Sequence, residues 1–321
     1  MLVSTIVCTH SPDNYPNLVE AVDSLLAQTH HEIEVIIAVD GNAELHEKVS
    51  AHYVDNKAVR TILLKENVGV SGARNAGISA AKGDVIAFID DDAIAEKGWV
   101  ENLLSAYSEY DAVAVGGKIL PVWLGAKPDY LPEELYWLAG VTHEGFAEDK
   151  VVEVRNTFGP NMSFRREVFQ KAGLFNENLG FARKGLSYIQ AEEPEFALRM
   201  RREFGKGVIY NPGAIVYHKI PPSKVKVGTL LKRAFYQGYS KALLRRLKIS
   251  ADPEATERSY LKALLSKYIP RRLKRFYRLT ELEKLFMLTA CILAVGLGFA
   301  YGYVRVSKLQ NGKGDNRHKL G

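Results

Sequence analysis

The first 90 residues alternate between short apolar runs and segments in which apolar residues recur at helical spacing. Predicted strands lie at residues 3–9, 34–39, 60–64 and 84–89, and predicted helices lie at residues 17–28, 46–52 and 71–81. The run at 34–39 is apolar without interruption, which is typical of a strand buried on both faces of a parallel sheet. Strands that alternate with helices predict an α/β domain with a mostly parallel sheet flanked by helices.

The pattern becomes less regular after residue 92. Residues 99–110 predict a helix and residues 112–119 a strand. Residues 120–154 are irregular and rich in aromatic side chains, which suits an insertion that faces a substrate. Residues 208–210 and 214–217 are short extended runs, and the Asn-Pro-Gly sequence at 211–213 predicts a turn between them.

Charge divides the chain into distinct segments. The 321 residues have a formal net charge of +6, yet residues 1–218 carry 20 Lys and Arg against 31 Asp and Glu. Residues 219–284 carry 18 basic residues against 5 acidic ones, residues 285–304 carry none of either, and residues 305–321 carry 5 against 1. An acidic body argues against a nucleic-acid partner. Cys8 and Cys291 do not suggest a disulfide framework, so a reducing compartment is expected.

The uncharged segment is 20 residues long, and a helix of that length at ~1.5 Å per residue matches the ~30 Å hydrocarbon core of a bilayer. Tyr301 and Tyr303 lie at one end, where aromatic residues favour the membrane interface. We therefore expect one transmembrane helix at 285–304, in the cell membrane, with the acidic body on the cytoplasmic face because no secretory signal precedes it. A buried helix of a soluble domain is the alternative. The GxxxG spacing of Gly298 and Gly302 leaves the oligomeric state open.

The basic segment predicts a neck at the membrane surface. Residues 229–249 carry apolar side chains at three- and four-residue steps with Lys and Arg between them, and a second basic cluster spans residues 271–278. A basic amphipathic helix suits anionic lipid headgroups, although a helix packed on the body with a solvated basic face remains the alternative. The predicted division is a body at 1–218, a basic neck at 219–284, the transmembrane helix at 285–304 and a basic tail at 305–321.

Polar side chains follow several predicted strands at the point where each strand ends. Thr9 ends the first strand, Asp40 ends the second, and Asp90, Asp91 and Asp92 end the fourth. In open α/β sheets, ligands bind beyond the carboxyl ends of the strands. Three consecutive carboxylates repel one another, and Mg²⁺ or Mn²⁺, which prefer oxygen ligands, would offset that repulsion. A solvated acidic turn is the alternative.

Further candidates lie outside the strand ends. Residues 66–75 form a glycine-bearing loop that enters a helix, which lets the backbone approach an anionic ligand, and Arg74 could add a contact. Glu192 and Glu193 open a predicted helix and suit a fixed general base, although the helix dipole also favours acidic residues there. His218 closes an extended run and is either a metal ligand or a structural histidine.

Seven segments, in this order, resemble the inverting, metal-dependent family 2 glycosyltransferases with the GT-A fold. They are VCTH at 7–10, SLLAQT at 24–29, VDG at 39–41, NVG through ARN at 67–75, FIDDD at 88–92, NMSFR at 161–165 and EE at 192–193. The resemblance covers residues 3 to 218, about two thirds of the chain. It implies an enzyme that moves a sugar from a UDP-sugar donor with the help of Mg²⁺ or Mn²⁺.

The resemblance also implies roles for individual residues. The nucleotide-sugar site would be formed by Thr9, Asp40, Asn67, Gly72, Arg74, Asp90 and Asp91. Asp92, in the DxD-type motif, and His218 would bind the metal ion, and Asn161 would line the pocket for the donor or acceptor sugar. Glu193 stands in the place of the family's catalytic base, with Glu192 as the alternative.

A narrower resemblance extends into the neck. Residues 218–222 and 236–244 are similar to archaeal members that act on lipids, the glucosyl-dolichyl phosphate glucuronosyltransferases of surface-protein N-glycosylation. This implies transfer of glucuronic acid from UDP-glucuronate onto a polyprenyl or dolichyl phosphate-linked saccharide at a membrane. The alternatives are an enzyme that builds exopolysaccharide, one that forms a dolichyl-phosphate sugar, and, outside enzymes, a catalytically silent membrane scaffold.

Overall fold

A computed structural model describes residues 1–179, 190–247 and 255–314. Its first strands are parallel: β1 (Val3–Thr9), β2 (Ile33–Asp40), β3 (Val59–Leu64) and β4 (Val85–Asp90) pair in the order β3-β2-β1-β4. They are connected by α1 (Tyr15–Leu26), α2 (Ala43–His52) and α3 (Val70–Ala80). The predicted α/β class is confirmed, and the predicted strands and helices of this part agree with the observed ones to within about three residues at each end.

The sheet continues past β4 with strands of both directions. They are β5 (Ala93–Ala95), β6 (Ala114–Trp123), β7 (Val152–Val154), β8 (Met162–Arg165) and β9 (Val208–Ile220). In the described chain, one nine-stranded sheet has the order β3-β2-β1-β4-β8-β6-β9-β5, with β7 also on β9. β8 is antiparallel to β4 and β6, whereas β6 and β9 are parallel.

Helices cover both faces of the sheet. The helices of the second half are α4 (Trp99–Glu109), α5 (Arg166–Ala172) and α6 (Glu192–Phe204). One core contains buried apolar residues of α1, α2 and α4, and the other contains those of α3, α5 and α6. With both faces covered, the edge at the carboxyl ends of β1, β2 and β4 is where polar side chains accumulate.

The predicted turn at 211–213 is wrong, because β9 runs through it as one strand. The pairing of β6 with β9 shifts register between Gly117 and Lys118, so the extra residues form a β-bulge. Gly117 permits this, since a Cβ there would overlap the carbonyl oxygen of Ala214. Asn211 Oδ1 accepts a hydrogen bond from Gly213 N at 2.9 Å, which stabilises the bulge that contains Pro212.

The C-terminal part of the chain is helical. It comprises α7 (Val227–Leu247), α8 (Ala255–Ala263), a π-helical turn (Leu264–Tyr268), α9 (Ile269–Leu273) and α10 (Leu279–Gly314). Among the described residues, Leu279–Arg305 is the one helical segment long and apolar enough to cross a membrane, with a mean hydropathy of 2.0.

Helices α7 and α10 pack side by side at very short range. A Cβ on Gly238 of α7 would overlap the carbonyl oxygen of Val295, and one on Gly298 of α10 would overlap that of Phe235. Gly302, the other member of the GxxxG pair, faces Tyr239 of α7. The small residues therefore let two helices of the same chain approach each other.

The neck packs against the body through a third apolar cluster. Leu131 and Leu135 of the irregular segment meet Leu230 of α7 and Leu288 of α10 there. One residue of the basic cluster at 271–278 also packs on the body. Arg272 of α9 is 4% exposed, and its guanidinium is 2.6 Å from the carboxylate of Glu134, which is fully buried. Arg272 also pairs with Glu281 of α10 at 2.8 Å, so these contacts fix the positions of α9 and α10, because a charge left alone there would be strongly destabilising.

Candidate active site

Asp40 at the end of β2 shapes the glycine-bearing loop. Its two carboxylate oxygens accept hydrogen bonds from the backbone N–H groups of Val68, at 2.8 Å, and Gly69, at 2.9 Å. Gly69 has a φ of +87°, a conformation that favours glycine, and it caps α3. Asp40 thereby holds the start of α3 against the strand ends, and its side chain also borders the cavity described below.

The remaining loop residues take different positions. Asn67 lines the cavity together with Gly69 and Val70. Gly72 packs against Val68, where a Cβ would lie 2.5 Å from a side-chain methyl carbon. Gly72 therefore serves the packing of the loop, and its assignment to the nucleotide-sugar site stays a prediction.

Arg74 is the centre of an acidic cluster. The guanidinium is 3.4 Å from Glu193, 3.7 Å from Glu192 and 3.8 Å from Asp90, and only 5% of the side chain is exposed. Burial by itself lowers the pKa of Arg74, but the three carboxylates outweigh that effect and raise it. One cation therefore faces three acids, and α3, β4 and α6 are brought together by this cluster.

The two glutamates begin α6 and are strongly perturbed. Burial, the neighbouring carboxylate of Glu192 and, more weakly, Asp90 raise the pKa of Glu193 to about 8, against the opposing effect of Arg74. Burial also raises the pKa of Glu192. The Glu193 side chain is 22% exposed whereas that of Glu192 is 5% exposed, so Glu193 is the more accessible acid. A carboxyl group poised near neutral pH in a cavity is suited to general base catalysis.

The aspartate run and His218 meet because β5 pairs antiparallel with β9. That register places Ala93 opposite His218, and Asp92 Oδ1 lies 3.1 Å from His218 Nε2. The other ring nitrogen, Nδ1, donates to the carbonyl oxygen of Gly140 at 3.1 Å, which fixes the ring with Nε2 facing Asp92. Asp90, Asp92 and His218 each offer a ligand atom, all within 4.8 Å of one another.

This donor set fits an octahedral Mg²⁺ or Mn²⁺. Adjacent ligands of such an ion at bonds of about 2.1 Å stand ~3 Å apart, which the Asp92 and His218 atoms already do. The ammonium group of Lys224 lies here, 2.8 Å from Asp92 Oδ2 and 3.2 Å from His218 Nε2. Burial alone would raise the pKa of Asp92, but His218 and Lys224 bring it well below the usual range. Asp90, Asp92 and His218 are therefore a candidate cation site.

The other strand-end residues lie beside this cation site. Burial raises the pKa of Asp91 to about 6 and raises that of Asp90 as well. Thr9 Oγ1 is buried and makes no hydrogen bond within the described chain. Thr9, Asp90 and Asp91 all line the cavity, as the strand-end prediction requires.

Asn161 does not reach the cavity. It is fully buried, its Oδ1 accepts a hydrogen bond from the indole of Trp99 at 2.9 Å, and its Nδ2 donates to the carbonyl oxygens of Ala214 and Lys118 at 2.8 and 3.1 Å. Every polar atom of the side chain is thus used to connect β6, β9 and α4. This corrects its assignment to a sugar pocket, and Asn161 instead supports the strands behind the site.

Two residues of the site were not expected from the sequence. Lys224 follows two prolines in the segment after β9, and a lysine in such a loop carries no local signal. Gly159 packs against the charged groups themselves, since a Cβ there would lie 2.5 Å from Arg74 Nη2 and overlap Glu193 Oε1. Gly159 is the middle residue of an FGP sequence, which could have indicated a close backbone approach but not its partner.

One cavity of about 1550 Å³ connects this cluster to the C-terminal helices. At one end it is lined by the strand-end carboxylates with Arg74 and the two glutamates. At the other end it is lined by α7 and by Ile292 and Val295 of α10. The same cavity therefore has a charged lining near the glutamates and an apolar lining near α10.

Comparison with known proteins places this geometry in context. The model of the family described as Glycosyl transferase family 2 matches residues 4–173. The glucosyl-dolichyl phosphate glucuronosyltransferase of Haloferax volcanii is 40% identical over 306 residues, which cover 94% of this chain and 96% of that protein.

Solved structures share the architecture at low sequence identity. The mannosyltransferase PcManGT of Pyrobaculum calidifontis, in complex with GDP-Man and Mn²⁺, has a TM-score of 0.62 and 16% identity, and the match covers 93% of this chain and 87% of that one. S. aureus TarS 1–349, in complex with UDP-GlcNAc, has a TM-score of 0.53 and 15% identity over 92% and 82% of the two chains. These similarities show the fold.

Proposed function

The chain belongs to glycosyltransferase family 2 and has the GT-A fold, and from that premise we propose that it transfers a sugar from UDP onto a lipid-linked acceptor. Our first candidate for the sugar is glucuronic acid from UDP-glucuronate, and for the acceptor a saccharide on polyprenyl or dolichyl phosphate in surface-protein N-glycosylation. The observation that carries the proposal is the continuous cavity between the acidic cluster and α10. The name of the Haloferax relative agrees with both substrates.

The strand ends would receive the donor. Thr9, Asp40, Asn67, Asp90 and Asp91 border the end of the cavity where a nucleotide would lie, and Thr9 Oγ1 has an unused hydrogen-bonding capacity within the described chain. The carboxyl groups of Asp40, Asp90 and Asp91 lie at this end of the cavity. They would repel a diphosphate if no cation were present. The donor and a cation are therefore expected to bind together.

Asp92 and His218 would hold the cation, with Asp90 nearby. A bound Mg²⁺ or Mn²⁺ would stabilise the charge that develops on the departing UDP. Lys224 occupies the same space through its ammonium group, so it would have to withdraw when a cation binds, and it is then positioned to contact a diphosphate oxygen. The Mn²⁺ in the PcManGT complex supports this assignment.

Glu193 would be the base. Its carboxylate would accept the proton of an acceptor hydroxyl while that oxygen bonds to the anomeric carbon, and UDP would leave from the opposite face, which inverts the configuration. Arg74 opposes the raised pKa of Glu193 and so keeps a fraction of it ionised. Glu192 is less exposed and is the alternative base.

The apolar segment of α10 would anchor the enzyme in the cell membrane. We propose a single pass with the catalytic body on the cytoplasmic face, where UDP-sugars are available to the cavity. The length and hydropathy of the apolar segment of α10 support a membrane location. The division into a body, a neck, a membrane helix and a tail at residues 218, 284 and 304 is part of this proposal.

A donor screen tests the proposal. The full chain in membranes is incubated with a glucosyl polyprenyl phosphate and with UDP-glucuronate, UDP-glucose or GDP-mannose, and the lipid product is identified by its mass. We expect one added glucuronyl unit with UDP-glucuronate and none from membranes that carry Asp92→Ala. A strong preference for GDP-mannose would overturn the donor assignment, and no lipid product with any donor would overturn the acceptor class.

A further inference from the structure

A polar strip of α7 faces the cavity. Its members, at four-residue intervals that share one helix face, are Thr229, Arg233, Gln237 and Lys241. Gln237 Nε2 donates to Gln190 Oε1 at 2.9 Å, and Gln190 lies two residues before Glu192. The strip is therefore one hydrogen bond away from the segment that carries the two glutamates.

Glu257 of α8 joins two cations beside this strip. Its carboxylate is 2.7 Å from Lys241 Nζ and 2.7 Å from Arg155 Nη1, and the three side chains are 14% to 26% exposed. Burial by itself would raise the pKa of Glu257, yet Lys241 and Arg155 lower it to about 2. An anion is therefore held strongly at this point of the cavity.

Apolar side chains adjoin these charges. Leu264 and Tyr268 of the π-helical turn and Ile292 and Val295 of α10 line the same cavity as Arg155 and Lys241. A pair of cations next to an apolar wall matches an amphiphile that has an anionic group joined to a hydrocarbon chain. A nucleotide lacks the hydrocarbon, and its diphosphate is already accounted for at the cation site.

We propose that Arg155 and Lys241 bind the phosphate of a prenyl phosphate and that the Glu257 carboxylate occupies this subsite until the lipid enters. The inference rests on the proposed function, because it assigns the acceptor's phosphate to named residues of the same cavity. A phosphodiester between a sugar and a prenol carries one negative charge, as does a carboxylate, so the exchange leaves the charge of the subsite unchanged. The prenyl chain then extends along α10 and the sugar points towards Glu193.

If the lipid phosphate displaces the Glu257 carboxylate, the affinity for the lipid should depend on the charge of residue 257. The lipid phosphate has to compete with Glu257, so a neutral side chain of the same shape should strengthen binding. Loss of either cation should weaken it, since a charge-assisted contact in a partly buried site is commonly worth tenfold or more in affinity. A purely structural ion pair predicts the opposite for Glu257, because its loss would only disturb the helices.

Binding of glucosyl farnesyl phosphate, a phosphodiester with one negative charge, to the full chain in detergent, without any sugar nucleotide, tests the inference through tryptophan fluorescence, to which Trp137 in the cavity wall contributes. We expect Glu257→Gln to lower Kd about tenfold, Arg155→Ala and Lys241→Ala to raise it at least tenfold, and Lys241→Arg to restore most of the affinity. Farnesol should bind weakly and equally to all variants. Inorganic phosphate should compete poorly because it lacks the hydrocarbon chain. Phosphatidylglycerol should compete poorly because its phosphodiester is joined to a glycerol with two acyl chains and not to a single prenyl chain.

A charge change outside the cavity is the matched control. Glu167→Gln removes the carboxylate of an exposed pair with Lys171, at 3.3 Å, and should leave Kd unchanged. Thermal unfolding of each variant verifies the fold. Unaltered or weaker binding in a folded Glu257→Gln variant, or equal competition by phosphatidylglycerol, would overturn the inference. Because no donor is present, that result would leave the donor screen valid, whereas a failed donor screen would leave the binding result intact.

Discussion

The raised pKa of Glu193 makes a quantitative prediction about the pH dependence of transfer. With a pKa of about 8, roughly one tenth of this group is ionised at pH 7 and roughly one hundredth at pH 6. If the ionised form accepts the proton, kcat/KM should rise about tenfold per pH unit between pH 6 and 7.5 and level off above pH 8. Replacement of the carboxyl by an amide, in Glu193→Gln, should reduce kcat by about 10² to 10⁴ and remove this slope.

The same shift affects stability. A carboxyl group whose pKa is higher in the folded chain than in the unfolded chain favours folding while it is protonated, and this contribution is lost as the pH rises through the folded pKa. The change from 4.5 to about 8 corresponds to about 5 kcal/mol at 1.36 kcal/mol per unit, shared among the carboxylates that face Arg74. The free energy of unfolding should therefore fall between about pH 5 and pH 8, and less so in Glu193→Gln.

The assay measures initial rates of lipid product over pH 5.5 to 9 for the wild type, Glu193→Gln and Glu192→Gln, with UDP binding as the check that each variant retains its donor site. Glu192→Gln is the matched control, since it removes an adjacent carboxyl of the same cluster. If Glu192→Gln loses transfer while Glu193→Gln retains it, the base is Glu192. A flat wild-type profile between pH 6 and 8 would refute the reasoning about either residue.

Four further predictions follow from the geometry. Asp92→Ala should lose Mn²⁺-dependent transfer, and it should lower the melting temperature because His218 and Lys224 lose their ionised partner; normal turnover would contradict the assignment. Lys224→Ala should raise Mn²⁺ affinity several-fold in a titration followed by electron paramagnetic resonance, because the ammonium group lies 2.8 Å from Asp92; an unchanged affinity would mean that the lysine does not compete. Gly159→Ala should reduce kcat at least tenfold, since its Cβ would collide with Glu193 and Arg74, whereas Gly98→Ala meets only Asn102 at 3.4 Å and should remain active; equal rates in both would refute the close approach. Gly298→Ala should lower the melting temperature by several degrees because it forces α10 away from α7, and Gly296→Ala in the same helix, with nothing within 4 Å, should not; equal melting temperatures would contradict the packing.

Much of the candidate site could be predicted because it depends on where strands end. Thr9, Asp40 and Asp90 follow apolar runs directly, and parallel strands bring their carboxyl ends to one edge whatever the details of packing. The distant Glu193 and His218 were placed by the resemblance to a family, since no local periodicity relates them to β4. The structure joins them through Arg74 and through the pairing of β5 with β9.

What could not be predicted depends on the direction of side chains. Asn161 and Gly72 belong to segments that resemble the family, but one is enclosed by strand carbonyls and the other by Val68. Arg272 lies in a basic cluster that suggested a membrane surface, yet its guanidinium pairs with buried Glu134. Sequence spacing gives the face of a strand or helix, whereas the partner on that face is contributed by residues far away in the chain.

The start of the apolar segment of α10 also could not be assigned to the membrane or to the body from composition alone. Its composition by itself indicated a membrane segment from residue 285 onwards, but Met287, Leu288 and Cys291 are buried in a cluster with the body and α7. A truncation after residue 284 would expose that cluster, so removal of α10 is expected to disturb the packing of the body as well.

Local periodicity and composition were enough to predict the α/β order of elements, the acidic body, the basic neck and the carboxylates at the strand ends. The contacts of the folded chain were needed to show which carboxylates share Arg74, that Lys224 lies between Asp92 and His218, and that one cavity extends from Glu193 to α10. The physical reason is that burial and charge pairing act between residues distant in sequence, and these contacts set the pKa values and the free space on which chemistry depends.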